Sequence, residues 1–471
     1  MSLTQIFILA GIAILLGQIR RQRTLLLMVF SAFAIYWLQP VQSPVTITFW
    51  LPTITLLLIV FLWRLLFSAE SHPWHQNLLA LIILSFVVGI MGANRYLQLE
   101  QIFIVETPRF QWVGIISALF LFAAVPLLQF EKNRSRSLLI LVAGLLALLV
   151  FTKLPEVQTL AFRSVMDLRG KEPTLSRISI SWLGFSYIVF RLIHTILDKK
   201  AGRLASVTLA EYVDYVIFFP SVVAGPIDRL DRFVNNLNAP ETLDAQGGLS
   251  AGTRFFAGLF KKFVLADGLA WIALNETFAR DVHSVGWLWL LLYAYSLQIY
   301  FDFSGYTDMA IGMGRFLGVR LPENFASPYL KPNLTFFWSS WHITLTQWFR
   351  SYLFNPLTRV LRSNKSLPSS LVILFTQLIT MTTIGLWHGI TLNYLFWGLW
   401  HGMGLFIQNR WSDLLRRRAA PDQVTRPVDR TWDSVNRFLT FNYVSLGWLF
   451  FLLPTPQLVW QTMAKLFGVT L

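Results

Sequence analysis

Apolar positions in this chain run in long unbroken stretches rather than in alternation. Residues 3–16, 50–67, 78–91, 115–128 and 138–151 are almost wholly apolar. A helix of about 17–25 such residues covers the roughly 30 Å hydrocarbon core of a bilayer. The strands of a membrane barrel would instead alternate over about ten residues. The pattern predicts an all-α polytopic membrane protein with about 11–13 transmembrane helices. The first run has no basic residue before it and no small-residue cleavage site after it, so it reads as a retained helix.

From about residue 153 the texture changes. Polar and aromatic residues mix, and Gly and Pro interrupt segments too short to span cleanly. "VIFFPSVVAGPIDRLDRF" (216–233) breaks at Pro220 and Pro226, and "IYFDFSGYTDMAIGMG" (299–314) sets Asp302 and Asp308 among apolar neighbours. Non-helical backbone at membrane depth is tolerated only where protein or a water-filled cavity satisfies it. The second half is therefore expected to hold re-entrant or in-plane helices around a central tunnel. Residues 235–250 read as a surface loop.

Composition supports this picture. Only 13% of residues are charged, about half the share of a soluble domain. The net charge of +15, from 39 Lys+Arg against 24 Asp+Glu, would suit nucleic acid if it were contiguous. It falls instead in short clusters between apolar runs: Arg20, Arg21 and Arg23; Lys132, Arg134 and Arg136; Lys199, Lys200 and Arg203; Arg410 and Arg416 to Arg418. That is the positive-inside pattern, which puts these loops beside anionic lipid in the cytoplasm and argues for membrane lipid, not nucleic acid, as the partner. The N-terminus and the loops 95–109 and 153–177 then fall outside. With no cysteine, the chain has no disulfide, thiolate metal site or cysteine-borne intermediate.

Seven histidines are candidates for chemistry. His72, His75 and His283 sit in expected loops, and His194 lies near a basic helix end, where an imidazole interacts favourably with the helix dipole. Three sit in apolar sequence: His342 in "FFWSSWHITLTQWFRSYLF", and His388 and His401 in "GLWHGITLNYLFWGLWHG", which repeats Trp-His-Gly. On one continuous helix His388 and His401 would differ by about 20 Å of rise and roughly 220° of rotation. They could then share a small site only if the helix broke between them, for instance near Asn393. At most one is expected to work, paired with His342.

Several chemistries are excluded by pattern. There is no HExxH and no carboxylate close to His342 or His388, so no metal site is expected. The stretch "HTILD" is one residue short of the H-x4-D acyltransferase signature. What remains is a lone imidazole acting as general base on a substrate hydroxyl, a task suited to a pKa near 7.

Five stretches in order resemble the membrane-bound O-acyltransferase (MBOAT) family, in the bacterial branch that serves alginate O-acetylation and teichoic-acid D-alanylation. They are "LGFSYIVFRLIHTILD" (183–198), "FFPSVVAGPIDR" (218–229), "YFDFSGYTDMAIG" (300–312), "FFWSSWHITLTQWFRSYLFNPL" (336–357) and the double Trp-His-Gly stretch (385–402). The resemblance implies a catalytic core over residues 108–471, preceded by accessory transmembrane helices over 1–107. It puts the family's two functional histidines on His342 and His388, with His388 catalytic and His401 a packing echo.

It further implies an O-acyltransferase that moves a short acyl group, expected to be acetyl, onto a hydroxyl of an extracytoplasmic glycan or glycolipid. The co-substrate would be a cytoplasmic thioester, acetyl-CoA or an acyl carrier protein, with no bound cofactor. A periplasmic partner and a bacterial inner-membrane location go with that branch. His388 would take the hydroxyl proton, while His342 would orient the acceptor or help hold the oxyanion.

Trp341, Trp387, Asn393, Gln298, Asp302 and Tyr306 are the candidates for substrate contact. Arg350 is the candidate for neutralising a donor phosphate or for snorkelling to an interface. The chain departs from the branch at Ser339 and Ser340 (usually basic), Ser351 (usually acidic) and Leu392 (usually aromatic). Two other readings stay open: a relay from a carrier protein to a periplasmic partner, and a non-enzymatic transporter or scaffold. The second is disfavoured by the lack of internal symmetry.

Overall fold

The computed structural model describes residues 1–19, 21–41, 47–67, 74–94, 96–97, 114–115, 134–168, 179–241, 243–418 and 430–469. These residues are mainly helical, with no strand among them. The helices are α1 (Leu3–Gln18), α2 (Arg23–Trp37), α3 (Ile47–Phe67), α4 (Trp74–Gly92), α5 (Arg134–Phe151), α6 (Pro155–Leu168), α7 (Phe185–Lys200), α8 (Leu209–Ile217), α9 (Leu230–Asn238) and α10 (Ala245–Phe260). A π-helical turn, Lys261–Ala266, leads into α11 (Asp267–Ala270), α12 (Glu276–Asp281) and α13 (Val285–Phe316). Then come α14 (Leu334–Trp338), α15 (Ile343–Phe349), α16 (Asn355–Ser363), α17 (Ser369–His388), α18 (Leu392–Arg418), α19 (Arg430–Leu452) and α20 (Pro456–Leu466).

By length and apolarity alone, α3 and α17 qualify as membrane spans among the described residues. Residues 138–151 and 155–164 qualify together across a 97° bend. The run at 115–128 and the loop at 95–109 lie largely outside the described residues, as does His72; the side chain of His75 does too.

The chain divides into two compact units, residues 1–255 with 309–322, and residues 256–308 with 323–471. The first unit is built around α8, all nine residues of which are buried. A capping box starts it: Thr208 Oγ1 accepts from Glu211 N–H, and Glu211 accepts from Thr208 N–H at 2.7 Å. Past Ile217 the backbone leaves the helix, where Pro220 and Pro226 predict a break.

The exposed carbonyls in that break need donors, because water is scarce among buried side chains. Arg191 of α7, 2% exposed, supplies them. Its guanidinium donates to the carbonyls of Val216 at 2.8 Å and Ser221 at 3.2 Å, and to Ser221 Oγ at 2.8 Å. Gly184 lets α7 begin beside this loop: its φ is +60°, and a Cβ there would lie 2.1 Å from the Val222 carbonyl oxygen. His194 is not at the helix end, as expected, but buried in mid-helix, 3.0 Å from Tyr215 Oη by its Nε2.

Two stretches expected to be loops are helical. Leu230, Phe233, Val234 and Leu237 are buried at i, i+3, i+4, i+7 spacing and form α9, and α10 follows at Ala245. Only residues 239–244 join them, so the expected loop at 235–250 is mostly helix. The segment 153–177, expected to be a loop, likewise contains the amphipathic α6, with Pro155 at its first turn, where a missing N–H costs nothing.

The second unit contains the hairpin of α17 and α18. Small residues let these helices touch: a Cβ on Gly385 would lie 2.2 Å from the Tyr394 carbonyl oxygen, and one on Gly398 2.4 Å from Thr382 Cα. The tip of this hairpin carries His388.

Candidate active site

His342 occupies the turn between α14 and α15, the stretch written Trp341-His342-Ile343. It is 3% exposed and has φ of +43°, a left-handed conformation that costs a non-glycine residue roughly 1–2 kcal/mol. Asn324 holds the turn in place. Its backbone carbonyl accepts from Ile343 N–H at 2.9 Å. Its Oδ1 accepts from Thr344 N–H at 3.1 Å and Thr344 Oγ1 at 2.9 Å, and lies 3.3 Å from His342 Nδ1. Asn324 Nδ2 is buried without a hydrogen-bond partner among the described residues, a cost of about 1–3 kcal/mol. The Phe303 ring stands edge-on to the imidazole at 4.7 Å.

His388 is the last residue of α17, and the chain breaks at once through Gly389. The continuous helix that would have separated His388 from His401 therefore does not exist. The break comes at residues 389–391, slightly before Asn393. The His388 ring is half-buried in a box of aromatic faces: Phe451 at 4.8 Å, Trp397 at 5.7 Å, and Tyr394 stacked at 6.1 Å. Trp387 is near both candidate histidines, 6.4 Å from the His342 ring and 4.5 Å from that of His388. Histidines 46 positions apart in sequence thus approach one indole.

The other expected residues fall into three groups. Gln298, Asp302 and Tyr306 recur every four residues on α13, one face of one helix. Asp302 pairs with Lys262 of the π-helical turn, and Asp308 with Lys261 at 2.6 Å. The ion pairs make these carboxylates ties between elements. Trp341 is 5% exposed and packs against Phe325 at 5.2 Å and Trp448 at 5.1 Å, within an aromatic core. Asn393 is buried and donates through Nδ2 to the Leu453 carbonyl, tying the start of α18 to the end of α19. Arg350 is exposed at the start of a π-helical turn, Arg350–Phe354.

His401 is fully buried, 4.8 Å from Trp397 and 5.1 Å from Trp338 ring to ring. Neither of its ring nitrogens has a hydrogen-bond partner among the described residues.

Residues 139–464 match the family model described as MBOAT, membrane-bound O-acyltransferase family. The chain belongs to this family. It is 36% identical over 323 residues to a probable alginate O-acetylase of Pseudomonas putida, covering 68% of this chain and 62% of that one. It is 30% identical to a teichoic acid D-alanyltransferase of Streptococcus thermophilus over 59% of this chain and 71% of the other. A peptidoglycan O-acetyltransferase of Helicobacter pylori is 35% identical over 52% of this chain and 44% of its own length. The chain thus spans about three fifths of the Pseudomonas relative it matches. Membership in a membrane-bound family agrees with the helical architecture and the apolar spans.

Sequence reasoning missed Asn324, Phe303, Tyr394 and Phe451. Tyr394 supplies an aromatic face to His388 two positions after Leu392, the residue where the branch usually has an aromatic. Asn324 had no signal beyond being a polar residue in "PENF", 18 positions before His342.

Proposed function

We propose that this chain is an O-acyltransferase that moves a short acyl group, expected to be acetyl, from a cytoplasmic thioester to a hydroxyl of an extracytoplasmic glycan or glycolipid. The donor is acetyl-CoA or an acyl carrier protein, and the chain resides in a bacterial inner membrane. The observation that carries this reading is the approach of both His342 and His388 to one indole, that of Trp387, in a chain of this family. The relatives named for acetylating alginate or peptidoglycan support a glycan acceptor.

In this reading the acceptor oxygen attacks the thioester carbonyl carbon, and a carbon–oxygen bond forms as the hydroxyl proton passes to His388. The tetrahedral intermediate collapses, the carbon–sulfur bond breaks, and the departing thiolate takes the proton back from His388. The products are an ester and a free thiol. His388 suits the part because its ring ends a helix and is half-buried among aromatic faces, a setting that positions an imidazole while excluding bulk water. Gln298, Tyr306 and Trp387 are assigned to substrate contact.

The test is made in the native host. Ester-linked acyl groups on extracytoplasmic glycans and lipids are compared among wild type, a gene deletion and His388→Ala at matched membrane abundance. Loss of one ester species in both altered strains is expected. If deletion removes an ester that His388→Ala leaves intact, His388 is not the base.

A further inference from the structure

The turn bearing His342 is clamped by Asn324, and the clamp also determines where the imidazole proton sits. Asn324 Oδ1 faces Thr344 N–H at 3.1 Å. A backbone N–H only donates, so the atom facing it must be the amide oxygen rather than the amide nitrogen. The same oxygen lies 3.3 Å from His342 Nδ1. An amide oxygen only accepts, so Nδ1 must carry a hydrogen. A neutral imidazole has one N–H, which leaves the lone pair on Nε2.

We propose that Asn324 is a positioning residue that holds His342 as the Nδ1–H tautomer, so that Nε2 accepts a hydrogen bond from the acyl-accepting hydroxyl. This rests on the reading of His342 as a substrate-facing group, and it selects between the two roles open to that residue. A ring nitrogen with a lone pair orients a hydroxyl; it does not donate to an oxyanion. The buried Nδ2 of Asn324, unpartnered among the described residues, points the same way. The side chain is present for its oxygen, which serves Thr344 twice and His342 once.

The direct test is the nitrogen-15 spectrum of imidazole-labelled protein in lipid nanodiscs, with the His342 signals assigned by their loss in His342→Gln. Wild type is expected to show a protonated Nδ1 and a bare Nε2. Asn324→Leu, similar in shape but unable to accept, should lose that tautomer preference and lower ester formation in the host about 10²-fold. Asn324→Asp keeps an acceptor at the same position and should restore both. Thr344→Val weakens the clamp without touching Nδ1, so it should keep the wild-type tautomer.

A wild-type spectrum with hydrogen on Nε2 overturns the proposal, and that result needs no variant to fold. A folded Asn324→Leu protein with the wild-type tautomer overturns it as well. Wild-type ester levels in His342→Gln would instead sink the substrate-facing reading, whatever the spectrum shows.

Discussion

The two Trp-His-Gly copies are the same three residues put to different uses. In the first, His388 closes α17 and its ring is half-buried against Tyr394, Trp397 and Phe451. In the second, His401 sits in the middle of α18, fully buried. The glycines differ in the same way. A Cβ on Gly389 would lie 2.4 Å from the ring of Tyr394, whereas one on Gly402 would lie 3.0 Å from Leu378 Cα. One glycine makes room for an aromatic face beside the histidine, and the other lets two helix backbones approach. Even the tryptophans part company: Trp387 neighbours two imidazoles, while Trp400 stacks on Tyr443 at 4.7 Å and donates to its carbonyl. Place along a helix, not the tripeptide itself, decides which imidazole is presented.

The largest effect that sharpens this comparison is on the first histidine. His388→Ala should lower ester formation by at least about 10²-fold at unchanged membrane abundance, the range expected for loss of a general base. Measured esters per copy of protein give the answer, and a loss under threefold would mean that the first copy is no more special than the second.

The glycines come next. Gly389→Ala should displace the Tyr394 ring and free the His388 imidazole to turn. Misplacement of a reacting group by about 1 Å can cost up to 10²-fold, so a loss of roughly 10-fold in ester formation is expected, with little change in thermal stability. Gly402→Ala should do the opposite. Its Cβ meets backbone that cannot rotate away, so stability falls by about 1–3 kcal/mol while the folded fraction stays active. Thermal unfolding in detergent and ester content per folded copy separate the two. Equal effects on both readouts would break the distinction.

How far the sequence foretold this arrangement depends on the range of the interaction. Apolar runs longer than a soluble helix needs announce the spans, because lipid leaves a long chain few alternatives. The prolines at 220 and 226 announce a break, but not that Arg191, some 30 residues earlier, satisfies it. His342 and His388 stand out as imidazoles in apolar text, yet the approach of His342 to the indole beside His388 belongs to the tertiary fold. Asn324 was illegible because its meaning lies in contacts across 18 to 20 residues. The helices α9 and α10 were hidden for a simpler reason. Asn, Gly and Ser in residues 235–250 read as loop chemistry, but α9 already carries its buried stripe by Leu237, and α10 is a helix of mostly small residues.

The smallest expected effect concerns the second histidine, and it is the most pointed. His401 is fully buried with no hydrogen-bond partner on either ring nitrogen among the described residues. Its neighbours are rings: Trp338 at 5.1 Å, Trp397 at 4.8 Å and Tyr443 at 6.1 Å. A buried polar group without a partner contributes shape and loses its own solvation, so replacing it by an apolar residue of similar volume is nearly neutral or stabilising. His401→Leu should therefore change thermal stability by no more than about 1 kcal/mol, in either direction, and leave ester formation within twofold of wild type. The fit is tight, since a Cβ on Gly447 would lie 2.7 Å from Nε2, so the variant also tests whether shape alone fills the space. A stable His401→Leu protein that forms no ester would show that the second imidazole does more than pack. The two copies would then act together through Trp397, the ring that both of them touch.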